Sequence, residues 1–250
     1  MSDPQSHLRL PSTECRLVVV QDQLQPCPYL DGVTARMPLR LPVGQVSVDV
    51  TDQLLALGYR RSGDFVYRPQ CPTCDECKPT RVVVDRFRLT ASMRRVLRRG
   101  DRELTFRWGD PEIDSRRLEL FNEHRLQRGL DGDGEPIDTD AYRSFLVDTC
   151  CDTMELSITL RDRLVGVSIV DIGRESTSAV YTQYDPLAGR YSLGTYAILK
   201  QIQWALQTSR KYVYLGMYVA ANSHLNYKAR FRPQQRLSGG RWSECDDRPA

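Results

Sequence analysis

Cys71, Cys74 and Cys77 stand at two-residue gaps within one short segment, a spacing that lets a single loop turn its thiolates toward one ion or cluster. Such a site needs a fourth ligand. Position 81, where an iron–sulfur ferredoxin run would supply it, holds Arg81, so Cys27 is the best candidate and Cys15 the next. Zinc is the simplest occupant and an iron–sulfur cluster the other. Three reduced thiols on a strand-linking loop account for the same residues without a metal. Eight cysteines in 250 residues, in a chain read as cytoplasmic, favour metal binding or catalysis over a disulfide framework. Cys150, Cys151 and Cys245 read as structural or incidental.

The second chemistry is cationic. Thirty-one arginines stand against Lys78, Lys200, Lys211 and Lys228, and the guanidinium fork suits phosphate and carboxylate recognition. A GC-rich genome would produce the same excess, so local clusters carry more weight. Residues 81–102 hold Arg81, Arg86, Arg88, Arg94, Arg95, Arg98, Arg99 and Arg102 against Asp85 and Asp101, a local net of +6 where the whole chain carries +3. Arg94-Arg95 and Arg98-Arg99 fall on successive turns of a predicted helix, a surface able to follow a phosphate backbone with salt-dependent affinity. These four are the candidate nucleic-acid-binding residues. A solvated helix face is the competing explanation.

Elements must position these groups, and 250 residues suffice for one large domain or two compact ones. A mean hydropathy of −0.47 is ordinary for a soluble protein, and no apolar run approaches the roughly 20 residues of a membrane helix. Residues 1–11 mix Asp3, His7 and Arg9 without the apolar stretch of a secretory signal, which points to the cytoplasm. Before about residue 100 the pattern is irregular, with a helix predicted over 51–57 ahead of Gly58 and strands at 65–68 and 81–85. Beyond it, helices are predicted over 115–130 and 139–150, the latter with Tyr142, Phe145 and Leu146 facing a core. Strict alternation over 154–160, a turn at Arg161-Asp162-Arg163 and a second strand over 164–172 predict a hairpin, and 178–184 extends it to a meander. A loop over 185–191 leads to Ser192 as N-cap of a helix whose Ile198, Ile202, Ala205 and Leu206 face inward, and 212–217 returns as a strand.

This order resembles a GNAT-like N-acyltransferase core. The expected fold is therefore α/β of the α+β kind. Residues 101–250 would form a GNAT-like domain with a mixed, mainly antiparallel sheet, preceded by a smaller cysteine-containing N-terminal lobe, 1–100, that carries the basic helix. GNAT enzymes cradle the coenzyme A pyrophosphate on an Arg/Gln-x-x-Gly-x-Gly/Ala loop. The equivalent stretch, 189–195, keeps one of the two glycines, Gly194, with the spacing off by a residue. A different acyl donor is expected.

More specific texts follow. Gly58-Tyr59-Arg60-Arg61-Ser62-Gly63, Tyr67-Arg68-Pro69, the cysteine run with Lys78-Pro79-Thr80-Arg81, and the paired arginines resemble the N-terminal region of bacterial aminoacyl-tRNA-protein transferases. Ser178-Ala179-Val180-Tyr181-Thr182, Tyr184-Asp185-Pro186, the segment 192–199, Tyr212-Val213-Tyr214-Leu215-Gly216, Asn226-Tyr227-Lys228, Phe231-Arg232-Pro233 and Trp242 resemble their C-terminal half. The resemblance runs from about Cys27 to Trp242 and is strongest to the branch acting on N-terminal aspartate and glutamate. Met217, His224-Leu225 and Leu130-Asp131 depart from the family pattern.

The resemblance implies transfer of leucine from leucyl-tRNA to the α-amine of proteins beginning with Asp or Glu, which marks them for degradation as an N-degron. An activated ester meeting an amine of pKa about 8 needs mainly proximity, a proton acceptor and donors for the developing oxyanion. The absence of a hydrolase elbow or triad agrees with that chemistry. No cofactor is required for it, and a monomer without membrane contact is expected. An acidic acceptor asks for a cation, for which Lys228 and Arg230 are the candidates, with Arg81 after them. Tyr227, Ser192 and Gly194 are further substrate-binding candidates. Tyr181, Tyr184 and Tyr218 could line the pocket or pass protons, or pack at a sheet edge. Asp185 could accept the amine's proton or only form an Asp-Pro turn. An arginyl-tRNA donor, an acyl-coenzyme A donor and a zinc-dependent nucleic-acid-binding module are the alternatives.

Overall fold

The computed structural model describes residues 8–9, 15–129 and 135–245, so the departure at Leu130-Asp131 lies outside the described residues. The first part of the chain folds as β1 (Leu8–Arg9), β2 (Cys15–Gln21), the short hairpin β3 (Leu24–Pro26) and β4 (Thr34–Arg36), β5 (Leu39–Gly44), α1 (Val48–Ala56), β6 (Arg60–Ser62) and β7 (Phe65–Tyr67). Five of these strands form an antiparallel sheet in the order β1-β2-β5-β7-β6. Ser47 starts α1 by accepting from the Val50 amide, and Val50 and Leu54 on its inner face join Leu17, Tyr59 and Val66 in a small core.

The remainder contributes β8 (Lys78–Val83), α2 (Ala91–Glu103), β9 (Leu104–Gly109), α3 (Ser115–Gln127), α4 (Thr139–Tyr142), β10 (Thr153–Leu160), β11 (Arg163–Ile172), β12 (Ser176–Tyr184), α5 (Leu193–Gln207), β13 (Tyr212–Tyr218), α6 (Ser223–Asn226), β14 (Gln234–Ser238) and β15 (Arg241–Cys245). Eight strands form one sheet in the order β15-β14-β8-β13-β12-β11-β10-β9. Only β12 and β13 run parallel, joined through α5; every other pair is antiparallel. The fold is thus mixed α/β with mainly antiparallel sheets. β8 lies between β13 and β14, and α2 packs on α5. The sheets therefore divide the chain between β7 and β8, and the basic helix sits with the second sheet, where a division at residue 100 would put it with the first. Among the described residues, no helix is long and apolar enough to cross a membrane.

Alternation and turn chemistry explain the hairpin: β10 and β11 pair around Arg161 and Asp162, both at positive φ (48° and 64°), as a two-residue turn compatible with the strand twist requires. The helix expected over 139–150 is shorter. Its α-helical part ends at Tyr142, a π-helical turn over Arg143–Val147 follows, and Asp148 is already extended. Tyr142 and Leu146 are nonetheless buried, as their spacing predicts. The stripe of α5 also differs at its end, since Ala205 is buried and Leu206 is 59% exposed. Ser192 occupies the cap position of α5 but adopts left-handed φ/ψ of 52° and 52°, and its hydroxyl caps nothing.

Helices α2 and α5 cross at Gly100. A Cβ there would lie 2.3 Å from the Tyr196 ring, whose hydroxyl donates to Asp101 at 2.9 Å. This contact brings the basic helix within a glycine's reach of the helix that begins at Ser192.

Candidate active site

The two parallel strands define the site. Their ladder covers only Ser176–Ser178 opposite Tyr212–Tyr214, yet β12 continues to Tyr184 and β13 to Tyr218. Each strand slips register with its outer neighbour where the ladder stops: β12 skips Val180 against β11, and β13 skips Leu215 against β8. Such bulges re-aim strands and end pairing. Into the opening reaches Arg60 from β6 of the other sheet, donating to Ser178 Oγ at 2.6 Å and to the Ala179 carbonyl at 2.5 Å. Gly216, at φ +87°, permits the approach, since a Cβ there would stand 3.3 Å from the Arg60 guanidinium.

Around Arg60 gather groups from both parts of the chain. Lys228, 6% exposed on the 3-10 turn Tyr227–Arg230, donates to the Met217 carbonyl, and its turn is held by Gln234 donating to the Lys228 carbonyl. Burial, with the Arg60 charge adding to it, pushes the Lys228 ammonium down to about 7. Tyr29 is raised by burial and by the neighbouring Tyr67 and Cys77. Tyr227 is raised by burial, with Tyr184, Arg128 and Arg60 nearby. Asn222 donates to the Tyr29 carbonyl at 3.0 Å and ties the segment after β13 to the loop between β3 and β4. The result is a polar junction of two cations and several tyrosine hydroxyls at the mouth of the strand opening.

At the far end of β12, the Tyr184 hydroxyl accepts from Arg128 at 3.2 Å, and its ring lies 3.4 Å from where a Cβ on Gly194 would stand. Arg128 also contacts His224 Nδ1 at 3.0 Å. His124 packs against Tyr184 with ring centroids 4.6 Å apart. Burial and the Arg128 charge push its imidazole down to about 4, so it is neutral at pH 7, and its Nδ1 has no hydrogen-bond partner among the described residues.

The basic helix borders this end. Arg94, Arg95, Arg98 and Arg99 are all exposed while Met93, Leu97 and Gly100 face inward. Arg99 donates to the Arg190 carbonyl, and Arg190 pairs with Glu103 at 2.8 Å, which docks α2 onto the segment leading into α5. Arg95 and Arg98 have no ion-pair or hydrogen-bond partner among the described residues.

Two family comparisons cover most of the chain. Residues 25–95 match the arginine-tRNA-protein transferase N terminus and residues 116–238 the arginine-tRNA-protein transferase C terminus. An aspartate/glutamate leucyltransferase of Acinetobacter baumannii is 36% identical over 217 residues, covering 86% of this chain and 80% of that protein. One from Chromobacterium violaceum is 37% identical, covering 87% and 89%. This chain belongs to the arginine-tRNA-protein transferase family. Among solved structures, the C-terminal domain of a putative lysylphosphatidylglycerol synthetase from Agrobacterium fabrum aligns with 13% identity and a TM-score of 0.47, over 79% of this chain and 70% of that one.

Within this transferase chain the residues singled out from sequence divide. Lys228, Tyr227, Tyr184, Gly194 and Ser192 lie along the opening or at the start of α5. Asp185 is buried in a structural role: its carboxylate accepts from the Leu187 amide at 2.9 Å and pairs with Arg116 at 3.0 Å and Arg163 at 3.3 Å. Tyr181 packs among Phe121, Phe145 and His124, and burial pushes its phenol up to about 12. Tyr218 lies under the Arg236 guanidinium at 3.5 Å. Arg81 is clamped elsewhere, stacked on Tyr212 at 3.8 Å and Trp242 at 4.2 Å while donating to Tyr214 and Gln235. Arg230 is exposed.

Arg60, Tyr29, Tyr67, Arg128 and His124 also gather at this candidate site, and none of them is singled out by the sequence. Arg60 lay in view within the Gly58–Gly63 text, but its partners are some 118 residues away. Cys77 is half-buried, and burial, with Cys27, Cys71 and Cys74 near enough to add to it, pushes its thiol up to about 12. No three metal-ligating side chains among the described residues are already disposed as a coordination set. Cys150 and Cys151 pack against the small core beside α1.

Proposed function

We propose that the protein moves leucine from leucyl-tRNA to the α-amine of proteins beginning with aspartate or glutamate, creating an N-degron. One observation carries the reading. The two regions that match the family close together on the opening between β12 and β13, Arg60 entering from the first and Ser178, Ala179 and Lys228 standing beside it from the second. The amine nitrogen attacks the ester carbonyl, a C–N bond forms, the C–O bond to the terminal ribose breaks, and tRNA leaves with a free hydroxyl as the amine sheds a proton. Two substrates held in the opening react mainly through proximity, so the site needs no covalent nucleophile. In this reading β12, α5 and β13 act as a GNAT-like core, with Tyr184, Ser192 and Gly194 at the donor end and Lys228 with Tyr227 at the acceptor end. Arg94, Arg95, Arg98 and Arg99 meet the tRNA acceptor stem. Incubation of leucine-labelled leucyl-tRNA with an Asp-initiated peptide is expected to move label to the peptide only when the protein is present. Label released solely as free leucine would contradict the reading.

Cys27, Cys71, Cys74 and Cys77 would hold a structural zinc ion or iron–sulfur cluster joining the β3–β4 hairpin to the 71–77 loop. The neighbourhood of the four thiols and the softness of sulfur donors support this. Metal analysis of protein purified without a histidine tag should find bound zinc or iron that Cys74→Ser loses together with thermal stability. Metal-free wild-type protein of unchanged stability would refute it.

A further inference from the structure

Arg60 and Arg61 are consecutive, both nine-tenths buried, and differently provided for. Arg61 donates to Asp171 at 2.8 Å, as a buried cation ordinarily requires. Among the described residues, Arg60 donates only to a hydroxyl and a carbonyl, Ser178 Oγ and Ala179 O. Asp171 lies within range of its field, but that carboxylate is engaged by Arg61 and Thr153. Lys228, beside Arg60, likewise donates to a carbonyl and has no carboxylate partner among the described residues. The surrounding polar groups, Tyr29, Tyr67 and Tyr227, are phenols that can donate to an anion and do not neutralise a cation. A buried guanidinium without a counter-ion, beside a lysine ammonium that burial and that same charge push down to about 7, is expensive for a fold to hold unless an anion arrives to complete it.

The position identifies that anion. Arg60 stands at the apex of the opening between β12 and β13, where neither strand's edge is paired with the other. A guanidinium fixed by Ser178 and Ala179 keeps further N–H groups free for a carboxylate, and the fork matches carboxylate geometry in a way an ammonium does not. We infer that Arg60 is the specificity-determining residue for the acceptor, binding the side-chain carboxylate of its N-terminal aspartate or glutamate, with Lys228 completing the site. This rests on the transferase reading for the identity of the acceptor and goes beyond it in placing recognition on a residue supplied by the N-terminal sheet. It also gives the two-sheet construction a purpose, because the catalytic sheet alone would lack its acid reader.

Because Arg60 also ties the sheets together, loss of activity in a variant would not distinguish recognition from structure. The ratio of kcat/KM for an Asp-initiated peptide to that for its Asn-initiated isostere does, since both peptides sample the same folded enzyme. Arg60→Gln is expected to lower that ratio by about 30-fold or more, and Arg60→Lys to keep part of it. Calorimetric binding of Asp-Ala-Ala and Asn-Ala-Ala to the tRNA-free protein supplies the second arm. Wild-type protein should prefer the acidic tripeptide and Arg60→Gln should not. A ratio and a binding preference both unchanged in Arg60→Gln would leave Arg60 as a structural tie and overturn the inference. Wild-type protein that binds the acidic tripeptide through Arg60 but transfers no leucine would instead sink the donor chemistry and leave the acid reader standing.

Discussion

Asp171→Ala is expected to destabilise the protein by about 3–5 kcal/mol, the usual cost of leaving a buried cation unpaired. Asp171 and Arg61 are each almost fully buried, and the aspartate accepts from Arg61 at 2.8 Å and from Thr153 at 3.0 Å. One Arg61 nitrogen already lacks a partner, so truncation would strip most of what the guanidinium has. The pair joins β6 of the first sheet to β11 of the second, and a shift of the urea midpoint at constant slope measures its loss. Arg61→Met with Asp171→Ala should recover part of the stability, because both charges are then gone. A single-variant loss below about 1 kcal/mol would show that the sheets are held by other contacts, such as Arg174 on Asp49 or Ser176 on Asp52.

Charge reversal at Arg95 and Arg98 should weaken tRNA binding roughly 10- to 100-fold at about 0.1 M salt and lower the slope of log affinity against log salt by about 2. Both side chains are exposed and unpartnered among the described residues, so the fold should not change, and unaltered thermal unfolding would confirm that. Arg94 and Arg99 are less clean probes, since Arg94 donates to the Leu89 carbonyl and Arg99 to that of Arg190. An unchanged salt slope would return α2 to a solvated surface helix. The proximity of α2 to residues 185–192 would then be a packing feature alone.

What could be read from the sequence was local. The β10–β11 hairpin, the meander through β12 and the inward face of α5 all announce themselves by periodicity, and a two-residue turn fixes the hairpin register. The pairing of distant strands does not: β8 enters the second sheet between β13 and β14, and nothing in its alternation says which neighbours it takes. The same limit shaped the site. Asp185 looked available for proton transfer because Arg116 and Arg163, its partners, come from separate elements. Arg81 looked like an acyl-site cation until Tyr212, Tyr214 and Trp242 from three other positions closed around it. Arg60 stood in a recognised stretch of sequence, but its meaning depends on Ser178 and on Asp171 being taken by Arg61. The position of Lys228 beside the opening was legible because it lies just beyond β13, close in sequence to the strand that bounds the opening.

Mass spectrometry of peptides beginning with Asp, Glu, Arg or Lys, each incubated with the protein and either leucyl-tRNA or arginyl-tRNA, tests the central claim most directly. The expected result is a leucine mass added to the Asp and Glu peptides alone, and only with leucyl-tRNA. An added arginine, or no addition to any peptide from either donor, would contradict it.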